Sequence, residues 1–113
     1  IFTLEGQLIR WLGIPGRDIT AGQTDKNGRP FPAQLQHPRG LQLEPNNTAL
    51  LVEFGNNRVQ RIDLTTGASL GAWGTPGRGE GQLAEPWALS TFKGKTYVVD
   101  ASNHRLIVMN TPR

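Results

Sequence analysis

The sequence of 113 residues contains no cysteine, and it has only two histidines and one tyrosine. Without cysteine the protein forms no disulfide, has no thiolate nucleophile and lacks the zinc sites that use cysteine ligands. A zinc site needs three or four ligands, and we do not expect His37 and His104 to share one metal, because they lie at opposite ends of different structural repeats. No apolar run approaches the roughly 20 residues of a membrane span. The composition therefore predicts neither a metal site nor a membrane span.

Local signatures of common catalytic sites are also missing. The glycine-rich stretch at residues 77–81 lacks the spacing and the Lys-Ser/Thr ending of a phosphate-binding loop. The sequence has no Ser/His/Asp arrangement with a local signature. Its net charge of +3 is scattered, without a block of like charges. Scattered charge is typical of a soluble surface, so we do not expect a nucleic acid as the partner.

Turn-forming residues, in contrast, are abundant. The sequence has 14 glycines and 8 prolines among its 113 residues. This richness favours many short strands over long helices, because glycine and proline mark tight turns and interrupt helices.

Two parts of the sequence repeat in register. Residues 37–41, 49–53 and 56–59 match residues 85–89, 95–100 and 103–106, with Pro38 and Pro86 48 residues apart. Residues 4–13 match residues 64–74 in the same way, and the first copy carries an insertion of 13 residues within 18–32. A period in the forties with short apolar segments is typical of a four-stranded propeller blade.

This pattern predicts an all-β fold built from propeller blades of four antiparallel strands. The predicted strands are 1–4, 8–12, 40–43, 49–54, 59–63, 69–73, 87–91, 96–100 and 105–110. Residues 1–13 would close a partial blade, 37–74 form a full blade and 86–113 supply three strands of a last blade. Residues 14–36, with the insertion, and residues 75–85 are the inter-blade loops.

The repeated residues resemble the NHL family of β-propellers. The family pattern of Pro-x-Gly/Ala-Leu, a Tyr-Val-Val-Asp-like strand and Asn-x-Arg-hydrophobic appears twice, within residues 38–59 and 86–106, and the closing Trp-Gly appears once, as Trp73-Gly74. The resemblance implies an arc of a six-bladed propeller. The remaining blades would come from a longer chain, from copies of this chain or from other subunits, and the first is favoured. Because many bacterial NHL-like propellers are exported, we expect a periplasmic or extracellular protein.

In both repeats an acid stands five residues before an arginine, with an asparagine between them. We expect each acid and arginine to make a charge-assisted hydrogen bond across a tight turn. The asparagines suit left-handed turn conformations or the capping of backbone groups. The residues interpreted as structural turn residues are Glu53, Arg58, Asp100, Arg105, Asn57 and Asn103.

The resemblance also points to the residue after each blade-opening proline. The NHL family includes a zinc-dependent lyase whose metal-binding histidines occupy this position and project into the central channel. The corresponding residues here are Arg39 and Trp87, which argues against that activity in these blades. They become candidates for lining the channel, where Arg39 would bind an anion and Trp87 would stack on a ring or sugar. The alternative is that both pack around the axis.

The insertion at residues 18–32 is a further candidate contact. It contains Asp25, Lys26 and Arg29 around the turn sequence Asp-Lys-Asn-Gly, without the spacing of a calcium loop. A loop longer than ~12 residues in a compact repeat is often functional. It either contacts a partner or is a tolerated surface insertion.

The sequence as a whole predicts a non-catalytic NHL-type scaffold that binds a protein partner or another ligand, or that packs against the remaining blades. No catalytic residue, metal or cofactor is predicted. The alternative is a fragment of a propeller enzyme, a metal-dependent lyase or hydrolase whose channel ligands come from other blades. RNA binding on a basic face is a third hypothesis.

Overall fold

The computed structural model describes residue 8 and residues 11–112, and these residues form strands, turns and one short 3-10 segment. The strands are β1 (Ile14–Pro15), β2 (Gln34–Leu35), β3 (Pro38–Glu44), β4 (Thr48–Glu53), β5 (Arg58–Asp63), β6 (Ser69–Trp73), β7 (Thr75–Pro76), β8 (Gln82–Leu83), β9 (Ala88–Phe92), β10 (Lys95–Asp100) and β11 (Arg105–Asn110). The 3-10 turn Ala101–Asn103 connects β10 to β11.

Strands β3 to β6 form a four-stranded antiparallel sheet in chain order. Its turns use residues that tolerate positive φ, because a tight reversal places the backbone in the left-handed region. Asn47 (φ 59°) lies between β3 and β4, and Asn57 (φ 54°) lies between β4 and β5. Gly67 (φ 78°) lies between β5 and β6. This unit is referred to below as sheet 1.

Strands β9 to β11 form a three-stranded antiparallel sheet, also in chain order, which is referred to below as sheet 2. Its first hairpin turns through Lys93 (φ 50°) and Gly94 (φ 76°), the two positive φ angles of a type I′ hairpin. The register of β10 with β11 pairs Asp100 with Arg105, as β4 with β5 pairs Glu53 with Arg58.

The hydrophobic core lies between the two sheets. Leu50, Val52 and Val59 of sheet 1 are buried with Val98 of sheet 2 and with Leu83. The two first strands approach closely, since a Cβ added to Gly40 of β3 would lie 3.1 Å from the Cα of Ala88 in β9. Burying apolar side chains stabilises this packing by about 25 cal/mol per Å² of surface removed from water.

The all-β class and the antiparallel sheets that the sequence predicts are confirmed. The described residues do not close into a ring, so the assignment of the two sheets to NHL-type propeller blades is a proposal. The predicted strand 1–4 and residues 9–10 of the predicted strand 8–12 lie outside the described residues, and Trp11 and Leu12, the last two residues of the latter, are not in a strand. Two short parallel pairs, β1 with β2 and β7 with β8, were not predicted from the sequence. These pairs hold together the two loops that precede the sheets.

Candidate functional site

The carboxylate of Glu53 lies at the centre of a buried hydrogen-bond network at the β4–β5 turn. Arg58 Nε donates to its Oε2 at 2.7 Å, and Gln60 Nε2 donates to the same oxygen at 3.0 Å. Its Oε1 accepts from Asn56 Nδ2 at 2.8 Å and from the backbone amide of Gln36 at 3.3 Å. These donors replace the water that an ionised carboxylate loses on burial.

The same arginine joins the turn to the loop that precedes sheet 1. Arg58 Nη1 donates to the carbonyl of Arg17 at 2.7 Å, and its Nη2 donates to the carbonyl of Gln34 at 2.8 Å. The loop therefore depends on Arg58 for its position, and Arg58 depends on Glu53 for its neutralisation. We refer to this arrangement of acid, arginine and loop carbonyls as a turn clamp.

A second turn clamp occupies the equivalent position in sheet 2. Arg105 Nε donates to Asp100 Oδ2 at 2.8 Å, and its Nη1 and Nη2 reach the carbonyls of Arg78 and Gln82 at 2.8 and 3.0 Å. Burial acts to raise the pKa of Asp100, but hydrogen bonds from the Ala84 amide and from the side chains of the turn outweigh it, so the pKa is lowered.

The two asparagines singled out from the sequence have different roles. Asn103 Nδ2 donates to Asp100 Oδ2 and to the carbonyl of Gly77, both at 2.8 Å. Its counterpart in the first repeat is Asn56, which bonds Glu53 and the carbonyl of Gly16. Asn57 instead adopts the left-handed conformation, and its Oδ1 accepts from the Glu85 amide at 2.7 Å. The turn residues thus hold backbone in place, and their buried carboxylates have no open side for a substrate.

Arg39 and Trp87, the residues that follow the two repeat-opening prolines, lie against each other. The Arg39 guanidinium carbon is 4.5 Å from the centre of the Trp87 ring and 5.1 Å from the centre of the Phe54 ring. The two rings meet edge to face, with centroids 5.9 Å apart at 79°. These three residues are called the Arg39 cluster below.

The local backbone explains why the Arg39 cluster is presented at the surface. His37 has a φ of 48°, and Glu85 before the second repeat-opening proline has a φ of 50°. A register shift between Pro38 and Gly40 places Arg39 outside the regular β3–β4 pairing. Arg39 is exposed, and Trp87 retains 49% of its surface.

The chemistry of the Arg39 cluster suits an anion. Within the part of the chain that the structure describes, Arg39 makes ring contacts but neither a hydrogen bond nor an ion pair. Ring contacts restrict the side chain without using its N–H donors. A guanidinium held in this way can donate two parallel hydrogen bonds to a carboxylate or phosphate.

The insertion folds back on itself as a small hairpin. Thr24 pairs with Pro30, and Asp25 Oδ1 accepts the backbone amides of Asn27 and Arg29 at 2.8 and 3.0 Å. Asp25 therefore orders the turn, while Lys26 and Arg29 are exposed. The structure brings these residues together with each other, but it reports no contact between them and the Arg39 cluster.

A polar cleft of about 800 Å³ opens between the hairpin ends of the two sheets. It contains the ion pair of Arg61 and Glu44, in which Arg61 Nε donates to Glu44 Oε1 at 2.8 Å. The hydrogen bond from Arg61 lowers the pKa of Glu44, against the opposing effect of burial. Because each charge already has its partner, the cleft offers a ligand hydroxyl and amide groups rather than a free charge.

Residue 8 and residues 11–112 hold no group of three or more His, Cys, Asp or Glu side chains placed to bind a metal ion. Over the same residues, no helix has the length and apolar character needed to cross a membrane.

A scan against protein-family models finds no match, and a search of the curated proteins finds none either.

Sequence reasoning missed Phe54, the second ring against Arg39, and Gln60, the extra donor to Glu53. Phe54 directly follows an acid in the first repeat, whereas Ala101 stands at that place in the second. The repeat alignment therefore offered no signal for an aromatic residue here. The same alignment does pair Asn56 with Asn103, so it contained the information that Asn56 belongs to the turn clamp.

Proposed function

We propose that this chain is an arc of an NHL-type β-propeller that acts as a non-catalytic binding scaffold. In this proposal the Arg39 cluster contacts an acidic segment of a protein partner. Sheets 1 and 2 are the full blade and the three strands of the next blade. The turn clamps keep the loops between the blades in place.

The observation that carries the binding site is the contact between Arg39 and Trp87. They occupy the same position of two repeats, one residue after Pro38 and Pro86, and their side chains lie 4.5 Å apart. When sheets stack on each other, equivalent positions on their first strands lie next to each other on the same side of the stack. This favours a recognition surface that is built up from several repeats, as in other repeat proteins.

An acidic peptide segment fits the chemistry of this surface. The Arg39 guanidinium is exposed, carries a permanent charge and has no anionic partner among the described residues. Trp87 and Phe54 hold it in place and therefore reduce the side-chain entropy that a binding partner would otherwise have to overcome. An aspartate or glutamate carboxylate can accept two hydrogen bonds from this guanidinium, with its apolar stem against the Trp87 ring.

The proposal is tested by titrating the isotope-labelled protein with the acetylated and amidated peptide Asp-Glu-Asp-Glu. We expect saturable shifts of the Trp87 indole and Arg39 Nε resonances in NMR spectra. Arg39→Ala should weaken binding about tenfold or more, because it removes hydrogen bonds to a charged group. Arg39→Lys should bind with intermediate affinity, because an ammonium does not form the two parallel hydrogen bonds.

Arg78→Ala is the matched control. It removes one positive charge from an exposed arginine that has no ring contact among the described residues. If Arg78→Ala weakened peptide binding as much as Arg39→Ala, the attraction would be one of net charge and the proposed site would be wrong. Shifts without saturation in the unmodified protein would also overturn the proposal.

A further inference from the structure

The outer edge of β11 is unpaired in the part of the chain that the structure describes. Sheet 1 has four strands, and its third strand, β5, pairs with β6 through Val59 opposite Trp73 and Gln60 opposite Ala72. Strand β11 is the repeat equivalent of β5, 47 residues later, and pairs with β10 alone. Its Leu106 and Ile107 therefore occupy the positions of Val59 and Gln60 without a strand opposite them.

An apolar cleft of about 590 Å³ lies beside this edge. It is bordered by Trp73 of sheet 1, by Ile107 and Met109 of β11 and by Leu83 between the sheets. This is where an inward side chain of a fourth strand would be placed, because β6 of the preceding sheet forms the opposite wall.

Residues 11–13 correspond in the repeat to the end of β6, the strand that β11 lacks as its neighbour. Leu12 and Gly13 match Trp73 and Gly74 at a step of 61 residues. The local packing matches as well: a Cβ on Gly13 would lie 2.8 Å from Leu35 Cδ1, and one on Gly74 would lie 3.1 Å from Leu83 Cδ1. Gly13 thus meets the loop before sheet 1 as Gly74 meets the loop before sheet 2.

The residue next to this pair is Trp11, which is 84% exposed. Trp11 stands at the repeat position of Ala72, which lies opposite Gln60 in sheet 1. Transferred to sheet 2 by the repeat, Leu12 falls opposite Leu106, and Trp11 falls opposite Ile107, at the apolar cleft. The exposed Trp11 therefore has the repeat position of a residue that would lie at the apolar cleft beside β11.

The face of sheet 2 that is equivalent to the covered face of sheet 1 is itself uncovered in the described residues. Val52 and Val59 are 0% and 2% exposed in sheet 1, where sheet 2 covers them. Their repeat equivalents Val99 and Leu106 are 42% and 59% exposed.

The opposite face of sheet 1 is open in a complementary way. Leu41 of β3 is an exposed residue, although its repeat equivalent Leu89 packs against the core. Within the chain, the face of Val52 and Val59 packs against sheet 2, which includes Leu89. Between chains, the same packing would place the face of Val99 and Leu106 against Leu41.

We infer that copies of this chain associate head to tail. The Trp11–Gly13 segment of one copy lies along β11 of the next, and its Trp11 indole fills the apolar cleft. The interface repeats the packing of sheet 1 on sheet 2, so it is heterologous, and assembly ends when the copies complete a ring. Three copies supply six sheets, the number in the proposed six-bladed propeller.

The absence of native cysteine makes this contact directly testable by cross-linking. In the variant Leu12→Cys/Leu106→Cys, we expect mild oxidation to yield disulfide-linked oligomers on a non-reducing gel, because the two positions face each other between copies. Leu12→Cys/Leu70→Cys is the control, since Leu70 is equally an exposed apolar residue but lies on β6. The inference would be overturned if oxidised Leu12→Cys/Leu106→Cys ran only as a monomer, or if both variants gave the same amount of disulfide-linked oligomer.

Sedimentation velocity of the unmodified chain gives an independent test. We expect a concentration-dependent assembly that approaches the mass of three copies. Trp11→Ala should weaken it about tenfold or more, as the loss of a buried aromatic anchor does. The circular dichroism of this variant should be unchanged, because Trp11 is exposed within one copy. A monomer at all concentrations, or unchanged assembly of Trp11→Ala, would contradict the inference.

The inference goes beyond the proposed function, and the two fail separately. Binding of the acidic peptide is measured at the Arg39 cluster, and Trp11→Ala leaves that cluster intact. Normal peptide binding by a protein that never assembles would overturn the inference alone. Assembly of a protein that does not bind the peptide would overturn the peptide site alone.

Discussion

Glu53→Gln removes one charge from the first turn clamp while it keeps the shape of the side chain. Each oxygen of Glu53 accepts at least two donors: Oε1 accepts from Gln36, Asn56 and Arg58, and Oε2 accepts from Arg58 and Gln60. A glutamine side chain would place its NH₂ group, a donor, where one of the two carboxylate oxygens accepts hydrogen bonds, and these bonds would be lost. It would also leave the Arg58 guanidinium buried without a counter-charge.

The expected loss is large because both partners are buried. The side chains of Arg58 and Glu53 are 6% and 0% exposed. Removing one partner of a buried pair costs about 3–5 kcal/mol. A domain of this size has a total free energy of unfolding of about 5–15 kcal/mol. Glu53→Gln should therefore remove about a fifth or more of the stability, measured by urea unfolding with fluorescence detection.

Glu44→Gln is the comparison for this measurement. Glu44 also pairs with an arginine, but the Arg61–Glu44 pair borders an open cleft and its charges remain closer to water. Its loss should cost less than the loss of Glu53, because the Arg61 and Glu44 side chains keep 13% and 15% of their surface against 6% and 0% for Arg58 and Glu53. If Glu53→Gln cost no more than Glu44→Gln, burial would not make the turn clamp contribute more to stability than the Arg61–Glu44 pair.

Three further predictions concern pH, backbone packing and the insertion. The pKa values of Asp100 and Glu44 are lowered in the folded protein. The stability that the two carboxylates contribute is therefore present above their unfolded pKa values near 4, and it is lost as the pH falls through their folded pKa values. Asp100→Asn should flatten this dependence of the unfolding free energy on pH, measured by urea unfolding, and an unchanged slope would contradict the prediction. Gly40→Ala should cost about 1–3 kcal/mol, because the added methyl meets Val52 and Ala88, whereas exposed Ser90→Ala should stay within about 0.5 kcal/mol; equal stabilities would refute the close approach of β3 to β9. Asp25→Ala should increase amide hydrogen exchange at Asn27 and Arg29, whose amides it accepts, and unchanged exchange there would show that the turn does not need the carboxylate.

Much of the strand architecture could be predicted because turns and alternation are local. Asn47, Gly67 and Gly94 occur where the chain reverses with positive φ, and the apolar segments between such residues became strands β3 to β6 and β9 to β11. The acid and arginine five residues apart lie opposite each other in register across their turn. These features depend on neighbours within a few residues.

The features that could not be predicted depend on distant parts of the chain. The parallel pair of β1 with β2 joins residues 20 apart across the insertion, and Arg58 reaches a carbonyl 41 residues earlier. Phe54 meets Trp87 only because the two sheets stack. Spacing along the sequence gives no information on such contacts, although the repeat placed Arg39 and Trp87 at equivalent positions.

The stacking of the two repeats is tested most directly by nuclear Overhauser effects at the Arg39 cluster. If equivalent positions of neighbouring repeats meet, the Arg39 side-chain protons should show cross-peaks to the rings of both Trp87 and Phe54 and upfield ring-current shifts. Arg39 protons at random-coil shifts, without a cross-peak to Trp87, would contradict the packing on which the proposed binding surface depends.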